Sequence, residues 1–136
     1  MFLTKECDYG VRIIRTLADG TKKTVEAIAN EELIPHKYAY KIIKKLERYG
    51  LVLSKRGRSG GYVLAKALDS FTLLDVVAAV DAARYVNECL HPASDCNFRD
   101  HPERPCKVHD EMARVQSIVA DEFSSKSMAE VLGVSS

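Results

Sequence analysis

Apolar residues recur at helical spacing through the first fifty positions and predict three helices in succession. The first spans residues 4–18, where apolar side chains follow one another at steps of one, three or four residues: Ile13, Ile14 and Leu17. The stretch ADGTKK then predicts a turn, and Thr24 is placed to cap a short helix over Val25–Glu32. Pro35 opens the third predicted helix, His36–Tyr49.

The third helix has one apolar face and one cationic face, and Gly50 is a suitable residue to end it. The apolar stripe is formed by Ala39, Ile42, Ile43 and Leu46. The opposite side carries Lys37, Tyr40, Lys41, Lys44 and Arg48. Two helices joined tightly, the second with a cationic outer face, are typical of a helix-turn-helix.

Two short strand-like stretches follow directly and predict a β-hairpin. Residues 51–55 and 62–64 have the strand pattern, and three glycines near the turn supply a permissive backbone: Gly57, Gly60 and Gly61. Arg56 and Arg58 lie at the predicted tip. The predicted fold class is therefore mainly α with a small β-hairpin wing, a winged helix-turn-helix.

The second half of the chain predicts a helix, an irregular segment and a longer helix. SFTLLDVVAAVD is predicted to be helical, with Thr72 and Asp75 as a capping pair. The longer helix covers about residues 105–123 and carries apolar side chains at steps of four, three and four: Val108, Met112, Val115 and Val119. Because a single apolar seam needs a partner, we predict that this helix joins two copies into a homodimer. Ser127 and Glu130 predict the cap of a short closing helix through Leu132.

Charge is distributed unevenly along the 136 residues, although the net charge is only +1. Residues 1–66 carry 14 Lys and Arg against 7 Asp and Glu, whereas residues 67–136 carry 6 against 12. A cationic block of this kind is typical of a protein that binds a polyanion, here double-stranded DNA. We therefore predict a winged helix-turn-helix DNA-binding domain over residues 1–66. Residues 67–136 are predicted to supply a linker helix, a cysteine-containing cluster loop and the dimerisation helix.

Seven side chains are candidates for contact with DNA: Lys37, Tyr38, Tyr40, Lys41, Lys44, Arg56 and Arg58. Lysines and arginines neutralise phosphates, and tyrosines donate to phosphate or touch a base edge. Wing arginines are suited to enter a minor groove. The alternative is a merely solvated helix face, which the adjoining hairpin of glycines and arginines disfavours.

Residues 87–111, NECLHPASDCNFRDHPERPCKVHDE, contain three of the four cysteines and three of the four histidines. The sequence has no secretion signal and no apolar run long enough to cross a bilayer, so we expect a cytoplasmic protein with reduced thiols. Grouped cysteines then indicate metal or redox chemistry. Cys89, Cys96 and Cys106 suit an iron–sulfur cluster or structural zinc, and a thiol switch without metal is the third alternative.

The fourth ligand of such a site has two candidates. His109 follows Cys106 by three residues at a predicted helix start, a spacing that can place both side chains on one metal. Asp8, like Glu6, is by default an acidic residue in the first turn of the first helix, where the helix dipole favours it, and it becomes a ligand only if the site lies near that helix. An enzyme is not expected, because the sequence has neither a G-x-S-x-G motif nor a phosphate-binding glycine loop in the required context.

Several stretches together resemble the Rrf2 family of winged-helix transcriptional regulators, whose members include an iron–sulfur assembly regulator and a nitric-oxide sensor. They are LTKECDYGVR, KYAYKIIKKLERYGLV, the wing KRGRSGGYVLAK, and LLDVVAAVD before a three-cysteine loop. The resemblance implies a homodimer that binds a dyad-related DNA operator, most simply as a repressor. It implies a 4Fe-4S or 2Fe-2S cluster that senses redox state, nitric oxide or iron–sulfur status.

The resemblance also carries over individual residues. The family cysteines fall on Cys89, Cys96 and Cys106, and the fourth ligand falls either on His109 or on Asp8 of the partner subunit. The family's wing arginine falls on Arg56, and its base-reading helix positions fall on Lys37, Tyr40 and Lys41. Two departures are a longer cysteine loop and the replacement of the usual wing proline and first glycine by Arg58 and Ser59.

Overall fold

The computed structural model describes residues 3–81, 85–99 and 101–134, and it contains the helices and strands that the sequence predicts. The helices are α1 (Lys5–Leu17), α2 (Val25–Glu32), α3 (His36–Tyr49), α4 (Leu73–Val80), α5 (Lys107–Ser124) and α6 (Met128–Leu132). The antiparallel hairpin is formed by β1 (Val52–Lys55) and β2 (Gly61–Leu64). Two short 3-10 turns, Leu68–Ser70 and Glu88–Leu90, are additional to the prediction.

Side-chain caps define where the helices begin. Thr4 and Thr24 each accept a hydrogen bond from the backbone N–H three residues later, at the starts of α1 and α2. Thr72 and Ser127 each form a reciprocal capping box with an acidic residue three positions later. The caps predicted at Thr24, Thr72 and Ser127 are therefore confirmed, because they depend on local sequence alone.

One hydrophobic core joins α1, α2, α3 and α4. The whole apolar stripe of α3 is buried in it, which turns the cationic side of that helix outward. α1 approaches α4 closely at Gly10, where an added Cβ would lie 2.7 Å from Val80 Cγ2 and 3.4 Å from Val76 Cγ1. The absence of a side chain at Gly10 is thus what allows these two helices to pack at this distance.

The hairpin is anchored to the turn that precedes α2. Lys23 and Tyr62 exchange both backbone hydrogen bonds, with N···O distances of 3.1 and 2.8 Å. Gly61 permits this approach, since a Cβ there would lie 2.6 Å from the Lys23 carbonyl oxygen. Gly57, at the tip, has φ +124°, a conformation that side chains oppose. The wing is consequently held against the helix-turn-helix by backbone contacts.

α5 contrasts with the other long helices because none of its residues is buried. Val108 is 60% exposed and Ile118 is 49% exposed, although both are apolar. The chain then returns to the core, where Met128 is fully buried and its N–H donates to the Phe71 carbonyl over 2.8 Å. The hydrophobic core contains residues from both sides of residue 66. The division into a DNA-binding part (1–66) and a dimerisation part (67–136) therefore remains a prediction about function, and it does not correspond to two separate cores. No helix in the described ranges has both the length and the apolar character needed to span a membrane.

Candidate functional site

The outer surface of α3 carries five predicted DNA-contacting side chains, which we call the recognition face: Lys37, Tyr38, Tyr40, Lys41 and Lys44. All but Lys44 are exposed. Tyr38 is steadied by the Tyr9 ring of α1, whose centroid lies 6.1 Å away, and Lys37 Nζ lies 5.6 Å from the Tyr38 centroid. The structure therefore brings the predicted helix residues together on one accessible surface.

Lys44 connects the recognition face to the wing. Its ammonium group lies 5.6 Å from the Tyr40 ring centroid and 5.9 Å from that of Tyr62 on β2, within the range of cation–π attraction. It also donates to Glu47 over 3.2 Å, and this hydrogen bond raises the pKa of the Lys44 ammonium. Lys44 is half-buried, and its ammonium group is already engaged by Glu47 and the two tyrosine rings.

Lys41 is engaged by an acidic residue that the sequence reading assigned to the helix dipole. Lys41 Nζ lies 2.7 Å from Glu6 Oε1, and Lys45 Nζ lies 3.0 Å from Glu6 Oε2. The hydrogen bonds from Lys41 and Lys45 hold the pKa of the Glu6 carboxyl below its usual range, and the same carboxylate raises the pKa of Lys41. Glu6 joins α1 to α3 at the edge of the recognition face.

The wing tip presents two arginines to solvent. Arg56 and Arg58 are both exposed, and neither forms a salt bridge within the described residues. Beside them, Lys22 Nζ donates to the Ser59 hydroxyl over 3.2 Å. The tip therefore supplies unpaired positive charge next to the recognition face, as a phosphate-binding surface requires.

The three grouped cysteines lie between α4 and α5. Cys89 lies in the Glu88–Leu90 turn, Cys96 lies in the loop that follows, and Cys106 is the N-cap of α5. All three are free, half-buried thiols, whereas Cys7 is buried in the α1 core contact. Cys106 Sγ accepts from the His109 backbone N–H over 3.4 Å, so this sulfur lies at the positive end of the α5 dipole.

Arg99 organises the loop between the second and third of these cysteines. Its Nη2 group donates to the carbonyls of Cys89 and His91, the latter over 3.1 Å, and to the Ser94 hydroxyl. The Ser94 hydroxyl in turn donates to the Cys89 carbonyl over 3.2 Å. Arg99 therefore ties the chain after Cys96 back to the turn that holds Cys89.

The two candidates for a fourth ligand occupy different environments. His109 Nδ1 is buried and has no hydrogen-bond partner within the described residues, and the backbone N–H of the same residue donates to Cys106 Sγ. Asp8 is exposed on α1 and forms an ion pair with Arg12, with Oδ2 and Nη2 2.8 Å apart. His109 lies on the same helix start as Cys106, whereas Asp8 belongs to a separate element of the subunit.

The side chains in the cysteine segment are of the types that bind metals through thiolates. Three free thiols and an unpartnered imidazole nitrogen are ligand types that zinc and iron–sulfur clusters accept. Within residues 3–81, 85–99 and 101–134 of one subunit, however, no three His, Cys, Asp or Glu side chains converge on a common metal position. The residues suit such a group by chemistry, but the described part of one subunit does not bring them to a common position.

Sequence reasoning missed two functional neighbours, Glu6 and Arg99. The pattern assigns Glu6 to the helix dipole because nothing local reveals that α1 crosses α3 beside Lys41. The sequence gives only a weak indication of a role for Arg99, which is one of two arginines in the long loop between Cys96 and Cys106. Its role depends on carbonyls that only the folded loop brings together.

Comparison with known proteins agrees with this architecture. Residues 3–133 match the Rrf2 family model, described as an iron-dependent transcriptional regulator. A protein of Aquifex aeolicus, named as an HTH-type transcriptional regulator, is 31% identical over 111 residues, covering 81% of this chain and 75% of its own. An Rrf2-like regulator of Rhodobacter capsulatus is 30% identical over 124 residues, covering 83% and 80% of the two chains.

Solved structures share the fold at lower identity. IscR of T. potens superposes with a TM-score of 0.74 at 20% identity, over 98% of this chain and 87% of its own. CymR, the global cysteine regulator of B. subtilis, gives a TM-score of 0.74 at 20% identity, over 100% and 99% of the two chains. The family and its relatives are named as regulators, not enzymes. The winged helix, its cationic face and the match over nearly the whole length together establish that this chain belongs to the Rrf2 family of DNA-binding transcriptional regulators.

Proposed function

We propose that this protein is a homodimeric repressor whose iron–sulfur cluster reports redox state, nitric oxide or iron–sulfur supply. The observation that carries the proposal is the position of three free thiols between α4 and α5. α4 packs in the core of the DNA-binding part, whereas α5 has no fully buried residue. A cluster on Cys89, Cys96 and Cys106 supplies a redox-active, ligand-sensitive iron centre there. Its protein ligands belong to the segment that connects the two functional halves.

The DNA interface is proposed to combine α3 and the wing. Lys37, Tyr40 and Lys41 enter a major groove, and Tyr38 and Lys44 support them at its edge. The two wing arginines, Arg56 and Arg58, contact the adjacent minor groove or its phosphates. Exposure of the helix residues and the unpaired state of the wing arginines within the described residues support this assignment.

The dimer is proposed to form along α5. The seam of Val108, Met112, Val115 and Val119 runs along a helix that has no fully buried residue in its own chain, and Val108 is 60% exposed. A Val115→Glu substitution is expected to convert the protein to monomers, because it places a charge on this seam. Ser117→Glu, which introduces the same charge on the other side of α5, is the matched control. Sedimentation of both variants tests the interface, and a dimeric Val115→Glu protein contradicts it.

The fourth ligand is proposed to be either Asp8 of the partner subunit or His109. The unpartnered Nδ1 of His109 favours the histidine within one subunit. Asp8 first has to leave its ion pair with Arg12. Cluster spectra of Asp8→Ala and His109→Ala proteins separate the two assignments, because loss of the ligand changes the visible bands and shortens the cluster lifetime.

The cluster is proposed to act through the relative placement of the two DNA-binding halves. Cys106 caps α5, and the N–H of Val86, near the start of the cysteine segment, donates to Gln116 Oε1 over 2.6 Å. A change at the thiols is thereby transmitted to α5, which sets whether both copies of α3 reach successive major grooves. A cavity of about 530 Å³ is lined by Glu88 and His91, which flank Cys89 and Leu90 along the chain, and we propose it as the route by which small signals approach the cysteine segment.

The decisive experiment is anaerobic purification followed by spectroscopy and DNA binding. Visible absorption and about one cluster's iron per subunit are expected, and both are lost in Cys89→Ala, Cys96→Ala and Cys106→Ala proteins. Cys7→Ala is the matched control, because Cys7 is buried in the core and should not affect iron content. Equal operator affinity of the cluster-loaded and cluster-free forms would falsify the proposed coupling.

A regulator of the same fold that uses a thiol switch or structural zinc is the second candidate. The thiol switch needs no common metal position, which fits the lack of a three-ligand group within the described part of one subunit. A colourless anaerobic protein with stoichiometric zinc identifies the zinc form. A colourless protein without metal, whose DNA affinity changes on thiol oxidation, identifies the switch.

A further inference from the structure

Glu6 lies between two lysines of α3, and the two lysines differ in how firmly they are held. Lys45 is 27% exposed, and its ammonium group also donates to the Val80 carbonyl over 3.0 Å. Lys41 is 53% exposed, and Glu6 is its one salt-bridge partner in the described chain. Lys45 is therefore a structural partner of Glu6, whereas Lys41 is free to exchange Glu6 for another anion.

The carboxylate also lies near the surface proposed to meet DNA. Glu6 lines an open depression together with Tyr38 of the recognition face and with Thr4, Lys5 and Tyr9 of α1. A phosphate that approaches Lys41 therefore meets the negative charge of Glu6 at the same point. Two anions then compete for one ammonium group.

We propose that Glu6 limits the DNA affinity of this regulator by holding Lys41 and by opposing phosphate at that position. When the protein binds DNA, Lys41 leaves Glu6 and enters the major groove, where the flanking phosphates attract its ammonium group whatever the base sequence. Lys45, itself held by the Val80 carbonyl, keeps Glu6 in place. This loss of affinity is the same for every DNA sequence, so Glu6 weakens non-specific binding. The operator is then distinguished from other DNA by contacts to its bases. This inference rests on the proposed recognition face and does not depend on the cluster.

The test compares Glu6→Gln with wild-type protein on a mixed-sequence DNA duplex long enough to span two major grooves. Glu6→Gln is expected to bind about 3- to 10-fold more tightly at low salt, because an exposed ion pair is weak and a repulsive charge is removed. The plot of log affinity against log salt is expected to steepen by up to about 0.9 per subunit, because the counterions that the DNA releases are then no longer offset by a cation taken up by the freed Glu6 carboxylate.

Two further variants keep the test specific. Glu111→Gln makes the same change in net charge and removes a comparable exposed ion pair, with Arg114, far from α3 along the chain; its affinity is expected to stay within twofold of wild type. In a Lys41→Gln background, Glu6→Gln is expected to lose most of its effect. Thermal unfolding of each protein checks that loss of the Lys45 contact leaves the fold intact.

The outcomes distinguish failure of the Glu6 inference from failure of the proposed DNA interface. If wild-type protein binds the duplex and Glu6→Gln binds equally or more weakly with a native unfolding temperature, the inference is wrong and the recognition face stands. If Glu111→Gln tightens binding as much as Glu6→Gln, net charge explains the effect and the inference is also wrong. If neither wild type nor Glu6→Gln binds duplex DNA, the proposed interface fails together with the inference.

Discussion

Replacement of Gly10 by alanine tests the close packing of α1 on α4. In an isolated helix this change is favourable by about 1 kcal/mol, because alanine is a better helix former than glycine. In this fold the new Cβ would lie 2.7 Å from Val80 Cγ2 and 3.4 Å from Val76 Cγ1. Favourable carbon–carbon contacts lie at about 3.5–4.0 Å, so the Val80 methyl group must move by roughly 1 Å.

The two effects have opposite signs, and their magnitudes decide the result. Overpacking of a well-packed core costs about 1–3 kcal/mol, which exceeds the gain in helix propensity or matches it. Val80 is only 2% exposed, so its methyl group has little room to retreat. We therefore expect Gly10→Ala to lower the free energy of unfolding by about 1 kcal/mol, within a range of roughly 0–2 kcal/mol.

Urea unfolding of four proteins measures this term: wild type, Gly10→Ala, Val80→Ala and the double variant. Val80→Ala alone leaves a cavity and is destabilising. In the double variant the alanine methyl at position 10 occupies part of the vacated space, so the double variant should be more stable than the two single effects predict. A favourable coupling of at least about 0.5 kcal/mol is expected. A Gly10→Ala protein about 1 kcal/mol more stable than wild type, with no coupling, would refute the packing argument.

Three further predictions concern single sites. Leu33 ends α2 with φ +54° and is 83% exposed. Leu33→Gly should therefore relieve backbone strain and raise the free energy of unfolding, measured in urea, by about 0.5–1 kcal/mol. An unchanged free energy of unfolding would show that Leu33 is not strained. Arg99→Gln should speed alkylation of Cys89 in metal-free protein while leaving the unfolding midpoint unchanged, and equal rates contradict its role in the loop. The folded-state pKa of Glu6 is below its usual 4.5, so its stabilisation is complete above about pH 5 and lost as pH falls. Acid titration of Glu6→Gln should therefore show a shallower loss of stability, and an identical profile contradicts the pairing.

Local elements were predictable because their causes are local. Thr24, Thr72 and Ser127 cap helices through backbone groups three residues away, and Gly50 ends α3 in a left-handed conformation. The periodicity of α3 likewise specifies which face is buried, since a helix has a fixed number of residues per turn. These features locate the recognition face without knowledge of the tertiary structure.

The charge state of that face could not be predicted in the same way. Lys41 reads as a free cation in the sequence, yet Glu6 binds it from a position 35 residues earlier. Arg99 looks like an ordinary loop arginine in the sequence, yet it donates to the carbonyls of Cys89 and His91 at the cysteine turn. Each case depends on a distance through space between segments whose separation along the chain carries no geometric information.

The sequence by itself determined the helices, the wing, the cationic block and the presence of three thiols in one segment, because periodicity, capping and composition act over a few residues. Only the tertiary structure decided that α1 meets α4 at Gly10, that Glu6 pairs with Lys41, and that α5 has no fully buried residue in its own chain. These are outcomes of packing, in which the free energy depends on which surfaces come together. The same reason applies to the cysteines, whose grouping is visible in the sequence but whose distances from one another depend on the fold.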